Sequence, residues 1–306
     1  MTTPDYSLAI PVLKPQTLGE IAPLLLALAA QTSPPLEVHC VVGDPRQGRA
    51  INYAARHSKG KYFGTLDDDS LMDDPGLFHK LMAVLEADAT VGMAGAACEI
   101  PPHALPLQRR AMLEIPRRFF PRQPETLESD MVQHPCLLMP RELFLTLGGE
   151  DEELVRGLDP VLRKKVRDAG RRVVIAANTW VYHLLPPSLS SILRMYYRNG
   201  RGSAFGQRHF PERVLELTDG YDRGSFPERR PFLLRMLRRV LSSGLALARG
   251  QWVGLAASLA YSAGYAAEVF RPSASPRAPR VESVASETRH DYPFAWFIHH
   301  VRLARD

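Results

Sequence analysis

The sequence predicts an α/β fold with a mostly parallel central sheet and helices on both faces. Short apolar runs at 7–13 (SLAIPVL), 36–42 (LEVHCVV) and 61–66 (KYFGTL) are partly β-branched and bounded by Pro, Gly or Asp, as buried strands are. Between them Leu18, Ile21, Leu25 and Leu28, then Ile51, Ala54 and Ala55, repeat at helical spacing. Strand, helix, strand, helix, strand is the order in which a parallel sheet is wound. With 306 residues, 45% of them hydrophobic, the chain can bury one full core and still carry an extension.

Asp74 and Pro75 suit the cap and first position of a third helix, which carries Phe78, Leu81 and Leu85 inward. Residues 91–98 return to the sheet. The stretch 100–130, rich in Pro, Arg and Glu, reads as an irregular insertion, and strand signals resume at 132–139 and 172–182. Past His183 the composition changes. Four segments are expected: a sheet domain at 1–185, a connecting segment with an Arg-rich helix at 186–228, a basic and apolar helical region at 229–270, and a Pro/Ser-rich linker with an aromatic tail at 271–306.

The net charge of +5 is unevenly spread, with arginine concentrated after position 190 and acidic residues gathered at 67–74 and 150–153. That distribution argues against a nucleic-acid groove over the first half. Cys40, Cys98 and Cys136 are three, widely separated and without CxxC spacing, which fits a reducing compartment rather than bridges or a zinc site. The opening residues lack a basic stretch followed by a long apolar one, so a cytoplasmic location is expected.

Asp67, Asp68 and Asp69 follow the third predicted strand directly, where an open α/β sheet places its ligand. Adjacent carboxylates raise one another's pKa unless a cation compensates, so the cluster makes sense around Mg²⁺ or Mn²⁺ with a phosphate. On extended backbone Asp67 and Asp69 share one side and Asp68 takes the other. A solvated acidic turn is the competing reading.

The stretch Gly48–Ser70, GRAINYAARHSKGKYFGTLDDDS, resembles the nucleotide-sugar-binding half of family 2 glycosyltransferases of the GT-A fold. A second block from Gly148 to His183, with a Gly-Gly turn, an acidic position, a basic helix and a final His, resembles the acceptor side of the same family. With the first strand ending near Pro11, the similarity spans residues 5–200. It implies a nucleotide-diphospho-sugar donor, with Asp69 on the metal, Asp67 on the metal or ribose, and Asp68 and Asn52 on the donor side. Pro11 and Asp44 would line the nucleobase, Asp44 being otherwise a turn residue before Pro45. Asp159 matches the general base of inverting members, although Leu158 replaces the acidic residue that normally precedes it. Its alternative is a helix N-cap ahead of Pro160, with Asp151 and Glu152 as reserve bases. His183 would complete the metal or diphosphate site, or be a polar residue at a strand end.

Arg194, Arg198 and Arg201 fall at i, i+4 and i+7, so one helical face presents three guanidinium groups to a diphosphate or to solvent. Six arginines and no acidic residue lie between Arg229 and Arg249, interleaved with leucines, as in a helix on an anionic membrane surface or a helical subdomain with a wet face. The sixteen uncharged residues 252–267 are short and Ala/Gly-rich for a bilayer crossing. The combined expectation is inverting transfer to a lipid-linked or surface-glycan acceptor, by an enzyme peripheral on the inner face of the cell membrane. A nucleotidyltransferase would need the same metal but also a Gly-rich basic loop, which PVLKPQTLGE lacks. A catalytically degenerate sugar-nucleotide-binding or membrane scaffold protein is the remaining alternative.

Overall fold

A computed structural model describes residues 5–215, 241–272 and 278–304. Strand β1 (Tyr6–Val12), a 3-10 turn (Pro15–Ile21), helix α1 (Ala22–Ala29), β2 (Glu37–Val42), α2 (Gln47–His57) and β3 (Tyr62–Thr65) reproduce the predicted alternation. Both β2 and β3 run parallel to β1. The apolar runs are continuous because both faces are covered. Leu8, Ile10, Val38 and Cys40 pack with Leu25 and Leu28 on one side, while Ala9 and Val41 pack with Ile51 and Ala54 on the other.

Helix α3 (Leu77–Ala87) begins later than predicted. Asp74 Oδ1 accepts from the Gly76 amide at 3.0 Å and Oδ2 from Lys80 at 2.8 Å, so Asp74–Gly76 form a turn and Gly76 is the N-cap. After β4 (Val91–Glu99), the expected irregular stretch contains a helix, α4 (Pro106–Glu114), nucleated by Pro106 at its first turn and held by buried Ala111 and Met112. Then come β5 (Leu127–Glu128), β6 (Leu137–Pro140), α5 (Arg141–Thr146), α6 (Leu158–Asp168) and β7 (Arg172–Tyr182).

The sheet is mixed rather than mostly parallel, with order β5-β7-β4-β6-β3-β1-β2 continued by two C-terminal strands. β6 is antiparallel to both of its neighbours, β3 and β4. The cause is the connection at 100–136, which runs back along β7 as β5 as far as Val173 and then returns to the carboxyl end of β3, so β6 enters from that edge. This reversal leaves residues 115–118 and 133–135 above the carboxyl ends of the strands, where the cleft lies.

Helices α7 (Leu189–His209) and α8 (Trp252–Phe270) pack along each other. A Cβ built on Gly200 would sit 1.9 Å from the Tyr261 carbonyl oxygen, and one on Gly264 would sit 1.9 Å from that of Tyr197. The Ala/Gly composition of 252–267 is thus explained by close backbone contact between two helices. Among the described residues no helix is long and apolar enough to cross a membrane. Five of the six clustered arginines, from Arg229 to Arg239, lie outside the described residues.

The tail is part of the sheet. β9 (Ala295–Leu303) adds in parallel to β2, burying Trp296 and Ile298, and the Trp296 indole donates to Cys40 Sγ at 3.1 Å. β8 (Val281–Arg289), expected as linker, pairs antiparallel with β9. Composition misses β8 because the strand buries almost nothing; its ladder of backbone bonds to β9 orders it.

Candidate active site

Two strand ends build the acidic site. Leu71 and Tyr182 exchange backbone hydrogen bonds of 2.8 and 2.9 Å, which fastens the segment after β3 to the end of β7. Asp67 and Asp69 on one strand end thereby meet His183 on the other. His183 Nε2 lies 3.1 Å from Asp69 Oδ1 and 3.7 Å from Asp67 Oδ2. One ligand atom from each of the three falls within 4.8 Å of the others. Two carboxylate oxygens and an imidazole nitrogen, partly open to solvent, suit Mg²⁺ or Mn²⁺ and leave coordination positions for phosphate oxygens.

The charges are not at rest. Burial raises the Asp67 carboxyl, and burial together with Asp69 and Asp67 pushes Asp68 up to about 6. Burial acts on Asp69 in the same direction, but the hydrogen bond and charge of His183 outweigh it and lower that carboxyl. His183 shows the converse: burial works against its proton, and Asp69 then Asp67 hold it on. Gln47, the first residue of α2, donates to Asp67 Oδ1 at 3.1 Å. Nothing in the local sequence marked Gln47, since its partner is twenty positions away.

Beside this group opens a cleft of about 570 Å³, whose lining includes Asp67, His183, His134 and Asp159. Asp159 is the second residue of α6, and Gly157, in left-handed conformation at φ 83°, is the N-cap. The N-cap reading of Asp159 is therefore corrected. Its Oδ1 instead accepts from the His134 amide at 2.7 Å and lies 2.9 Å from His134 Nδ1. On the other edge of that ring, His134 Nε2 is 2.7 Å from Glu150 Oε1, with both side chains buried. One imidazole thus bridges two carboxylates. Burial opposes charge on His134 and Asp159, yet the Asp159 and Glu150 charges hold His134 protonated well above its usual range, and the His134 charge holds Asp159 far below its own.

This arrangement makes stability depend on pH on both sides. The lowered Asp159 carboxyl stabilises the fold above its ordinary pKa of 3.8, and that contribution is lost as pH falls below it. The raised His134 stabilises fully below its ordinary 6.5, and its contribution is lost as pH climbs through the raised value. His134→Asn is therefore expected to lower Tm most between pH 4 and 6.5, with the gap to wild type narrowing at alkaline pH. A gap that widened steadily from pH 6.5 to 9 would contradict the bridged imidazolium.

Several predicted donor residues have other partners. Asp44 is buried, accepts from the Arg46 amide at 2.9 Å and pairs with Arg49 at 2.6 Å, which is the turn role. Asn52 is a clamp on the Gly-Gly turn: it donates to the Glu150 carbonyl and to Glu152, and accepts from the Glu150 amide at 2.8 Å. Gly149, at φ 60°, has no room for a Cβ against Asn52 Oδ1, so this clamp requires glycine and fixes the position of Glu150. Pro11 is half-buried near the end of β1. Arg194 and Arg198 are exposed, and Arg201 pairs with buried Glu268 of α8 at 2.7 Å. The helix face that does line the cleft carries Met195, Tyr196 and Asn199. The predicted three-arginine fork is turned away from it.

The cleft's own arginines are Arg117, Arg118, Arg156 and Arg163, none of them singled out by sequence. Arg163 is buried with Asp130 at 3.7 Å, and burial lowers it to about 10.

A mixed α/β sheet of this order, with an Asp/Asp/His group at its carboxyl edge beside a cleft, defines a protein of GT-A type. Residues 25–148 match the model of Glycosyl transferase family 2, so the resemblance to that family is shown over this span. The mannosyltransferase PcManGT from Pyrobaculum calidifontis, solved with GDP-Man and Mn²⁺, shares the fold at a TM-score of 0.54 and 14% identity, with 88% of each chain covered. No curated protein matches the chain in sequence. Family and fold together support a glycosyltransferase.

Proposed function

We propose that this chain is an inverting, metal-dependent glycosyltransferase that moves a sugar from a nucleotide-diphospho-sugar to a lipid-linked or surface-glycan hydroxyl. The observation that carries the reading is that one ligand atom each from Asp67, Asp69 and His183 lies within 4.8 Å of the others, with Asp67 and His183 on the same cleft as Asp159. The first three would hold Mg²⁺ or Mn²⁺, as Mn²⁺ accompanies GDP-Man in the PcManGT complex, and such an ion neutralises charge on a departing diphosphate. Asp159 takes the proton of the acceptor hydroxyl at a carboxylate oxygen. His134 holds that carboxylate in place from the far side, and Gln47 orients Asp67. A single displacement with one base inverts the anomeric centre.

The enzyme works in the cytoplasm, peripheral on the inner face of the membrane. Leu241, Leu245 and Leu247, on a helical stretch at 241–248, are 64%, 50% and 66% exposed and support that location. The test of the activity is thermal unfolding of the full chain with GDP-, UDP- and dTDP-sugars, each with and without Mn²⁺. One donor is expected to stabilise strongly only with the ion, by about 2.7 kcal/mol at a hundredfold excess over Kd. If no nucleotide sugar raises Tm with either Mn²⁺ or Mg²⁺, the proposal fails.

A further inference from the structure

The cleft holds more positive charge than its own carboxylates neutralise. His183 is matched by Asp69 and Asp67, His134 by Glu150 and Asp159, and Arg163 by Asp130. Arg118 and Arg156 are different. Among the described residues neither has a carboxylate within ion-pair distance, and each is tied to a neutral acceptor instead. Arg118 Nε donates to the Tyr196 hydroxyl at 3.0 Å, and Arg156 Nη1 donates to Asn199 Oδ1 at 2.5 Å. Tyr196 and Asn199 are three residues apart on α7, one turn of the same face, so the helix aims both guanidinium groups into one part of the cleft. Burial and then the charge of Arg118 push Arg156 down, whereas Tyr196 and Asp69 hold Arg118 up against its own burial.

Two forks that rest on neutral partners leave donors and charge for a ligand. The matching chemistry is a phosphate, which takes parallel N–H···O bonds from guanidinium. Its position says which substrate brings it. Arg156 lies three residues before Asp159 on the same loop-to-helix segment, while the charge of Arg118 is felt at Asp69 and His183, so the pair reaches from beside the metal group to the candidate base. A group bound there sits at the candidate base, where the attacking hydroxyl has to be. Helix α8 lines the same cleft with Gly254, Ala257 and Ser258.

We infer that Arg118 and Arg156 form an anion site for a phosphate carried by the acceptor, distinct from the donor's diphosphate site. The inference rests on the glycosyltransferase reading for the word acceptor, though not for the existence of the site.

Isothermal titration of the full chain in EDTA, with inorganic phosphate and with farnesyl phosphate, tests it without the metal site. Wild type is expected to bind, and Arg118→Gln and Arg156→Gln each to weaken binding about tenfold or more, as loss of a charge-assisted bond does. Lys164→Gln, which removes an exposed cation paired with Asp168, should leave it unchanged. Farnesyl phosphate binding tighter than phosphate assigns a lipid-borne group, and equal affinities assign a soluble phosphorylated acceptor. The inference is overturned if wild type binds neither probe, or if the glutamine variants, with wild-type Tm, bind both as well as wild type. It is overturned too if those variants lose Mn²⁺-dependent donor binding, which would give the arginines to the donor. Phosphate binding through these arginines in a chain that binds no nucleotide sugar would keep the site and remove the transferase reading.

Discussion

Asp159→Asn is expected to lower kcat by about 10²–10⁴-fold, the range a positioned general base supplies, while Mn²⁺-dependent donor binding stays near wild type. The substitution is nearly isosteric, and the asparagine carbonyl oxygen can still accept from the His134 amide, so the start of α6 keeps its anchor. What disappears is the negative charge. Among the described residues that line the cleft the other carboxylate is Asp67, whose role is on the metal. The strongly lowered pKa makes Asp159 a weak base toward a free hydroxyl, but the acceptor oxygen becomes acidic as its bond to the anomeric carbon forms, so proton transfer late in the reaction needs only a fixed anion. The reserve candidates are already committed. Asp151 accepts from the Glu153 and Leu154 amides and pairs with Arg213, and Glu152 accepts from Asn52 and Arg56. Single-turnover rates with saturating donor would check the prediction, and a variant within tenfold of wild type would remove Asp159 from the chemistry.

The strands and the metal group were legible because their signals are local. Hydrophobic runs with period and punctuation announce β1 to β3, and an acidic triplet at a strand end announces a ligand edge. His183 was found only through resemblance, because its meeting with Asp69 depends on the Leu71–Tyr182 pairing across more than a hundred residues. His134 left no trace at all: its neighbours are a proline and a glutamine, and its role comes from two carboxylates brought in by α6 and the Gly-Gly turn. The arginine fork failed for a related reason. Spacing on α7 places three guanidinium groups on one face but does not say which face meets the cleft, and the glycines that decide it, Gly200 and Gly264, act through α8. The strand direction of β6 was equally hidden, since a pattern of apolar residues carries no polarity.

Asp67→Asn is expected to have opposite effects with and without the ion, which separates a metal site from an acidic turn. Without metal, Asp67 and Asp68 are carboxyls with raised pKa, so the folded state binds protons more tightly than the unfolded one. Such groups stabilise fully only below their ordinary 3.8 and cost stability as pH rises, for Asp68 through about 6. Metal-free wild type should accordingly lose Tm between pH 4 and 6, and the neutral asparagine at 67, relieved of burial of a charge, should match or exceed wild type at pH 7. With Mn²⁺ the order reverses. A divalent ion turns the clustered carboxylates from a cost into ligands, so wild type gains Tm and the variant, missing one oxygen anion, gains little. His183 must shed its proton to ligate, so the Mn²⁺-induced gain should grow as pH rises through its raised pKa. Turnover of Asp67→Asn should fall by about 10²-fold or more with the lost charge stabilisation. Thermal unfolding with and without Mn²⁺ across pH 5 to 8 reads all of these together. If the variant keeps the full Mn²⁺ shift, Asp67 holds no metal; if it is less stable than wild type without metal, the triplet is a structural turn whose charge the fold uses.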